Sequence, residues 1–300
     1  MAEKTQIGFV GIGNMGGPMV RNLTKADIPV LVYDLRPDVL DAVTADSNLV
    51  TSASSLAEVG EKCTTVITML PTGTDVREAV LGDGGIASEM APDSIIVDMS
   101  SSEPTGTVEL AKDLEARGLH LIDAPVSGGV PGAVKGTLAL MTGGPDDLVA
   151  RIEKPLEAMG NIYRTGPVGS GHAAKALNNF LSAASLTAVS EALIVAQKFG
   201  LDGAKMADIW NASTGRSSAT ETKLRQHILN DKFAAGFTLK LLDKDVKIAK
   251  TLAESLDVRA DYLDRVSGLL GEALEELGDE ADHTTLFKHI KARAEEGRSE

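Results

Sequence analysis

Lys175 and Asn179 stand four residues apart in Gly171-His172-Ala173-Ala174-Lys175-Ala176-Leu177-Asn178-Asn179, a stretch of mostly small and apolar residues. That spacing places both on one helical face. A lysine in such surroundings is costly unless it is paired or used. Burial would depress its pKa toward neutrality, where it can both give and take a proton. Lys175 is therefore a candidate general acid/base. A structural lysine paired with a carboxylate elsewhere in the chain fits the same pattern. His172 lies one turn earlier and, as a lone histidine, is given no role.

A second constellation opens the chain. Gly11-Ile12-Gly13-Asn14-Met15-Gly16 follows an apolar run and begins a helical stretch, and Asp34 closes the next apolar run. Gly11 permits a tight turn, Gly13 lets the backbone approach a pyrophosphate, and Gly16 lets a helix pack closely on a sheet. The pyrophosphate would rest at the helix N-terminus, where free N–H groups and the dipole favour it. An acid about 20 residues beyond the glycines is suited to ribose hydroxyls. Asp34 points to NAD, since a carboxylate repels the 2′-phosphate of NADP. Arg36 is either a solvent-exposed side chain, the preferred reading, or a receptor for that phosphate.

Two further segments carry polar groups. Asp123-Ala124-Pro125-Val126-Ser127-Gly128-Gly129 joins a hydroxyl to two flexible glycines, so Ser127, Gly128 and Gly129 offer donors for a carboxylate; taken alone, the segment also reads as an ordinary turn. Phe237-Thr238-Leu239-Lys240-Leu241-Leu242-Asp243-Lys244-Asp245 sets Lys240 and Lys244 four apart, facing one cleft or forming a solvated helix face.

The elements that must position these residues alternate in the first half. Strand-like runs end at Val10, Asp34, Leu70, Asp98, Asp123 and Thr142, with helical stretches such as Thr105 to Arg117 between them. Nearly continuous Val, Ile and Leu suits strands covered on both faces. This predicts an α/β, Rossmann-type, doubly wound N-terminal domain with a mostly parallel sheet. After about Gly166 the pattern changes. One long, largely buried helix is expected from Gly171 to Phe199, followed by helices over Ala204 to Asn211, Thr220 to Asn230, Leu239 to Leu256 and Tyr262 to Leu277. The expected division is a dinucleotide-binding domain, 1–166, and an all-α substrate and dimerisation domain, 167–300, joined by the long helix. The last six residues are expected to fray.

Composition narrows the function. The formal net charge of -14 argues against nucleic acid or an anionic membrane as partner. Few aromatics leave no stacking platform for single strands. No uninterrupted apolar run approaches a membrane span, and the first residues lack a signal-peptide pattern. A single cysteine, Cys63, rules out an intrachain disulfide, argues against a cysteine-based metal site, and fits a reducing cytoplasm.

Taken in order, Gly8 to Gly16, Leu70-Pro71, Asp98 to Ser101, Asp123 to Gly129, Gly171 to Asn179 and Phe237 to Asp245 resemble the β-hydroxyacid dehydrogenase family over nearly the whole chain. The resemblance implies Lys175 as the catalytic lysine and Asn179 as an asparagine that positions substrate. It implies Ser127, Gly128 and Gly129 as the carboxylate site, and Gly11, Gly13, Asn14, Met15, Gly16, Asp34, Leu70, Pro71 and Ser101 as cofactor contacts. Ser101 stands where the family commonly has threonine, and the hydroxyl is kept. Lys244 matches a lysine that closes over cofactor and substrate. Asn178-Asn179 and Asn211 to Arg216 resemble the branch acting on 3-hydroxyisobutyrate. The reaction implied is hydride transfer between a small β-hydroxy acid and NAD, with no metal, in a homodimer or homotetramer. Reductases of tartronate semialdehyde or sulfolactaldehyde and enzymes acting on L-threonate are the alternatives within the family. Imine reductases usually replace the lysine, and a non-catalytic NAD-binding regulator would have no reason to keep Lys175, Asn179 and the Ser-Gly-Gly segment together.

Overall fold

The computed structural model describes residues 6–296. Residue contacts divide the chain into two compact units, Met1–Lys175 and Ala176–Glu300. The division falls inside a long helix. Gly166, where the sequence pattern changes, ends the last strand of the first unit.

The first unit is built on a nine-stranded sheet in the order β3-β2-β1-β4-β5-β6-β8-β7, with β9 added to β8. The strands are β1 (Ile7–Val10), β2 (Val30–Tyr33), β3 (Val50–Ser52), β4 (Thr65–Thr68), β5 (Ile95–Asp98), β6 (His120–Asp123), β7 (Val126–Ser127), β8 (Leu138–Gly143) and β9 (Gly160–Gly166). Strands β1 to β6 run parallel, and β8 turns antiparallel to both β6 and β7. The helices between them are α1 (Gly16–Lys25), α2 (Pro37–Ala45), α3 (Leu56–Lys62), α4 (Gly73–Leu81), α5 (Pro104–Glu115), α6 (Gly129–Lys135), α7 (Asp146–Arg151) and α8 (Glu153–Met159).

The apolar runs have a simple cause. Alternate residues of the central strands enter two separate cores. Phe9, Val32, Ile67, Val97 and Ile122 lie in one, and Val10, Leu31, Val66, Ile96 and Leu121 in the other. A strand buried on both faces is apolar along its middle and keeps a polar residue only where it is hydrogen-bonded, as Thr68 and Asp98 are at the ends of β4 and β5. The chain winds from β1 outward to β3, then crosses back to β4 and continues to β6. The switch in winding therefore lies between β1 and β4, where ligands of such sheets bind outside the carboxyl ends of the strands.

The second unit is helical: most of α9 (Ser170–Phe199), then α10 (Gly203–Asn211), a π-helical segment (Ala219–Ile228), α11 (Leu239–Ser255), α12 (Asp261–Leu277) and α13 (Leu286–Glu296). Its core gathers Ala183, Leu186, Leu193, Leu224, Val246, Leu270 and Phe287.

Several expectations need correction. Strands β3, β7 and β9 and helix α13 were not foreseen. The segment over Thr220 to Asn230 is π-helical, shown by the Leu229 N–H donating to the Leu224 carbonyl at 2.8 Å, five residues back. Averaged over 18 residues, α9 reaches a hydropathy of 1.4 and is long and apolar enough to cross a membrane; uninterrupted runs had hidden this. Half of that window is buried, much of it in the second core. Of the end expected to fray, Glu295 and Glu296 finish α13, and 297–300 lie outside the described residues.

Candidate active site

The first site residues collect at the carboxyl ends of β1, β2, β4 and β5. Gly11 leaves β1 at φ +91°, and a side chain there would stand 2.4 Å from the Met69 carbonyl oxygen. A Cβ on Gly16 would stand 2.1 Å from the Gly11 carbonyl oxygen, so α1 can sit this close to β1 only with glycine. No side chain caps the N-terminus of α1. The loop through Asn14 and Met15 therefore presents bare backbone at a ten-residue helix start, which fits a dinucleotide pyrophosphate.

Asp34, just beyond β2, braces this loop. The Ile12 N–H donates to its Oδ2 at 2.9 Å. Arg36 donates from its backbone N–H at 3.0 Å and from Nε at 3.2 Å to Oδ1. Burial alone would raise the Asp34 carboxyl, but the hydrogen bonds from Arg36 and Ile12 outweigh it and hold the group below the usual carboxylate range. The Arg36 side chain is 57% exposed, and its Nη2 would be 3.2 Å from a Cβ on Gly13. It is thus solvent-exposed, as the preferred reading has it, while also lying over the glycine loop.

At the end of β4 the Leu70 N–H donates to the Ser100 hydroxyl at 2.9 Å, tying two neighbouring strand ends together. Pro71 follows in an exposed position, and Ser101 is half-buried one residue beyond Ser100. Ser127 ends β7, whose antiparallel pairing sets Ser127 opposite Ala139. Gly128 and Gly129 take φ +132° and +60° and are exposed. These are conformations that L side chains rarely adopt, so glycine keeps the backbone bare and open to solvent next to the Ser127 hydroxyl.

Lys175 is half-buried on α9. Asn179, one turn on, is 7% exposed, and its Nδ2 donates to Asp245 Oδ2 at 2.5 Å. Asp245 is 3% exposed on α11, and Lys244 Nζ lies 3.5 Å from its Oδ1. The second unit thus brings Asn179, Asp245 and Lys244 together, although 66 residues separate Asn179 from Asp245. Of the two readings of Lys240 and Lys244, Lys240 follows the solvated helix face: it is 59% exposed and paired with Asp279 at 2.5 Å.

Sequence reasoning quoted Asp245 and Asp123 without giving them work, and it left His172 aside. Asp123 and His172 are buried and joined to each other and to Asp98. Their signal was a polar residue at the end of an all-apolar strand, or inside an apolar helix start. A further half-buried cation, Lys223, donates to the Ser182 hydroxyl at 2.8 Å, and desolvation lowers it to about 8.

Comparison with known proteins shows which family the chain resembles. The chain matches the NAD-binding domain of 6-phosphogluconate dehydrogenase over residues 6–169 and the NAD-binding domain of NADP-dependent 3-hydroxyisobutyrate dehydrogenase over 169–290. Mouse mitochondrial 3-hydroxyisobutyrate dehydrogenase is 39% identical over 262 residues, spanning 85% of this chain and 78% of the relative. The 2-(hydroxymethyl)glutarate dehydrogenase of Eubacterium barkeri is 36% identical over 83% of this chain and 82% of its own. A solved structure of Mycobacterium tuberculosis 3-hydroxyisobutyrate dehydrogenase with L-serine superposes with a TM-score of 0.90, 30% identity, and coverage of 96% of this chain and 99% of that one.

Proposed function

We infer the reaction from one premise: this chain belongs to the β-hydroxyacid dehydrogenase family, the group that includes the 3-hydroxyisobutyrate dehydrogenases. It is an NAD-dependent oxidoreductase acting on a hydroxy acid. The finer reading is that a small β-hydroxy acid, with 3-hydroxyisobutyrate the first to try, is oxidised with Lys175 as acid/base. The observation that carries it is Lys175 on the first turns of α9, with Asn179 held one turn on by Asp245.

In this reading the glycine loop Gly11 to Gly16, with Asn14 and Met15, cradles the pyrophosphate, and Asp34 receives the ribose hydroxyls. Leu70, Pro71 and Ser101 would contact the cofactor, Ser101 near the nicotinamide. When bound, NAD accepts a hydride from the carbinol carbon and returns one in the reverse direction. The Ser127 hydroxyl and the Gly128 and Gly129 amides hold the substrate carboxylate. Lys175, neutral in the oxidative direction, takes the hydroxyl proton; protonated, it donates that proton in reduction. Its ammonium also stabilises charge developing on that oxygen. Asp245 fixes the Asn179 amide so that it orients the substrate, and Lys244 closes over substrate and cofactor.

Replacing Lys175 with alanine is expected to leave NAD affinity within about threefold and to lower kcat by about 100- to 10,000-fold. Steady-state kinetics alongside a cofactor titration check this, and wild-type turnover would remove Lys175 from the mechanism. The substrate is tested by kcat/KM for 3-hydroxyisobutyrate, its methyl ester, glycerate and L-threonate. The ester should lose about 10- to 150-fold, because hydrogen bonds to a charged acceptor contribute about 1.5–3 kcal/mol. A clear advantage for glycerate or threonate would keep the chemistry and change the substrate.

We also propose a homodimer or homotetramer. Leu177, Leu181, Val195 and Phe199 are exposed on α9. The 18-residue step from Leu177 to Val195, and from Leu181 to Phe199, is five whole turns, so all four fall on one stripe. A second copy of the chain is the occupant suited to so long an apolar strip.

A further inference from the structure

The start of α9 is fastened to the sheet by a group that the proposed chemistry does not use. Asp123, the last residue of β6, is fully buried. Its Oδ1 accepts the Gly169 N–H at 2.7 Å, and its Oδ2 accepts the His172 N–H at 2.8 Å. These are amides at the N-terminal end of α9, where a helix has no partners of its own. A carboxylate from another element thus serves as the helix's cap, on the side the dipole favours.

The neighbouring glycines leave room for it. A Cβ on Gly143 would lie 2.6 Å from Asp123 Oδ1, and one on Gly171 would lie 2.8 Å from Oδ2. Any side chain at either position would push the carboxylate off the helix. The His172 ring completes the fastening. It is buried, with Nδ1 2.8 Å from the Thr107 hydroxyl of α5 and Nε2 3.2 Å from the Ser100 carbonyl. Asp98 Oδ2 stands 3.6 Å from the same Nε2. Asp98 is itself fixed by the Thr68 and Ser102 hydroxyls and by the Ser100 N–H. The first turn of α9 is therefore tied to the ends of β5 and β6 and to α5.

This fastening determines where Lys175 goes. Lys175 is three residues beyond His172, so the amide held by Asp123 and the lysine belong to adjacent turns of one rigid helix. Two bonds from one carboxylate fix both how far the helix advances and how it is rotated. A burial that pushes the Asp123 carboxyl up is offset in part by His172 and by these same two amides. A costly buried acid, two glycines that clear space for it and a buried histidine all converge on one helix turn.

We propose that Asp123 is a positioning residue for Lys175, seating the first turn of α9 so that the lysine meets the substrate hydroxyl, with His172 and Thr107 as its support. The proposal rests on the reading of Lys175 as acid/base. A misplacement of about 1 Å of a reacting group is enough to cost on the order of 100-fold in rate.

The test uses Asp123→Asn in the full chain. The amide keeps one acceptor oxygen and turns an NH2 toward the second backbone N–H, so the cap is half lost. We expect kcat to fall about 10- to 100-fold, with the dissociation constant for NAD, measured by fluorescence, within about threefold. The deciding measurement repeats the substitution in a Lys175→Ala chain whose turnover is partly restored by added ethylamine. The free amine needs no helix to place it, so Asp123→Asn should then change the rescued rate less than about twofold. A rescued rate that drops as far as in the Lys175 chain overturns the proposal, because the effect is then general damage. Thr107→Val, which removes only the hydroxyl under the His172 ring, serves if the asparagine variant does not fold. It should show a smaller loss with the same dependence on Lys175. If Lys175→Ala turns over normally, the acid/base reading fails. If that variant is inactive while Asp123→Asn is normal, positioning alone fails.

Discussion

Asp34 shows how one residue can be legible in part. Its place after β2 and its distance from the glycines point to a ribose-binding acid, but nothing in the spacing shows that Arg36 lies on it. Because Arg36 donates to Asp34 from both backbone and side chain, removing the side chain frees the carboxylate without moving it. Arg36→Ala should therefore change kcat/KM for NAD less than about threefold, while Asp34→Ala should lower it about 10- to 150-fold, the worth of hydrogen bonds to a charged group. Parallel titrations with NAD and NADP check both. NADP activity that collapses in Arg36→Ala would make Arg36 a phosphate receptor. Asp123 and Asp245 mark the limit of such reading. Their partners lie 46 to 66 residues away, and no spacing rule connects an acid at a strand end to an amide that far along the chain. The helical spacing that links Lys175 to Asn179 is local, which is why that pair was visible.

Among elements, β1, β2, β4, β5, β6 and β8 were readable because burial on both faces leaves a continuous apolar run. The missed strands lack that constraint. β3 has three residues, two of them exposed; β7 has two; and β9 carries Asn161, Arg164 and Thr165. Helix α13 has five charged residues among eleven, and only Leu286, Phe287, His289 and Ile290 are buried, so its pattern was faint. The packing of α1 on β1 gives a sharper test. Gly16→Ala would put a methyl group 2.1 Å from the Gly11 carbonyl oxygen and 3.0 Å from the buried Phe9 ring, so the Gly11 backbone itself must shift. Calorimetry should show loss of NAD binding and a lower Tm, with a destabilisation of about 1–3 kcal/mol, the range for overpacking a tight contact. An unchanged NAD affinity would mean that the glycine loop does not hold the cofactor.

At the scale of the molecule, stability should depend on pH through His283. Burial, and then the nearby Lys223 ammonium, lower its pKa from 6.5 to about 4. Between those values the unfolded chain binds a proton that the folded chain refuses. Stability is thus fully present above pH 6.5 and is lost as pH falls toward 4, by up to about 3 kcal/mol. Lys223 acts at the other end: its folded pKa of about 8 lies below its ordinary 10.5, so stability should rise from pH 8 toward 10.5. Urea unfolding at pH 7 and 4.5 should show the acid loss, and His283→Gln should flatten it. A variant with the same slope would assign the effect elsewhere. Light scattering tests the apolar stripe on α9. The chain mass of 31.3 kDa should appear doubled or quadrupled, and Leu181→Glu with Val195→Glu should return it to the monomer.

The π-helical segment from Ala219 to Ile228 has a consequence for descent. A π turn closes five residues back where an α turn closes four, so the same axial distance holds more chain. A gene one codon shorter in this stretch would still reach Leu229 and everything beyond it in the same place, as an ordinary α-helix. What would change is the direction of the side chains inside it, Lys223 among them. A lineage could therefore gain or lose the Lys223–Ser182 contact through a single in-frame deletion, and the change would show in an alignment only as a one-residue gap.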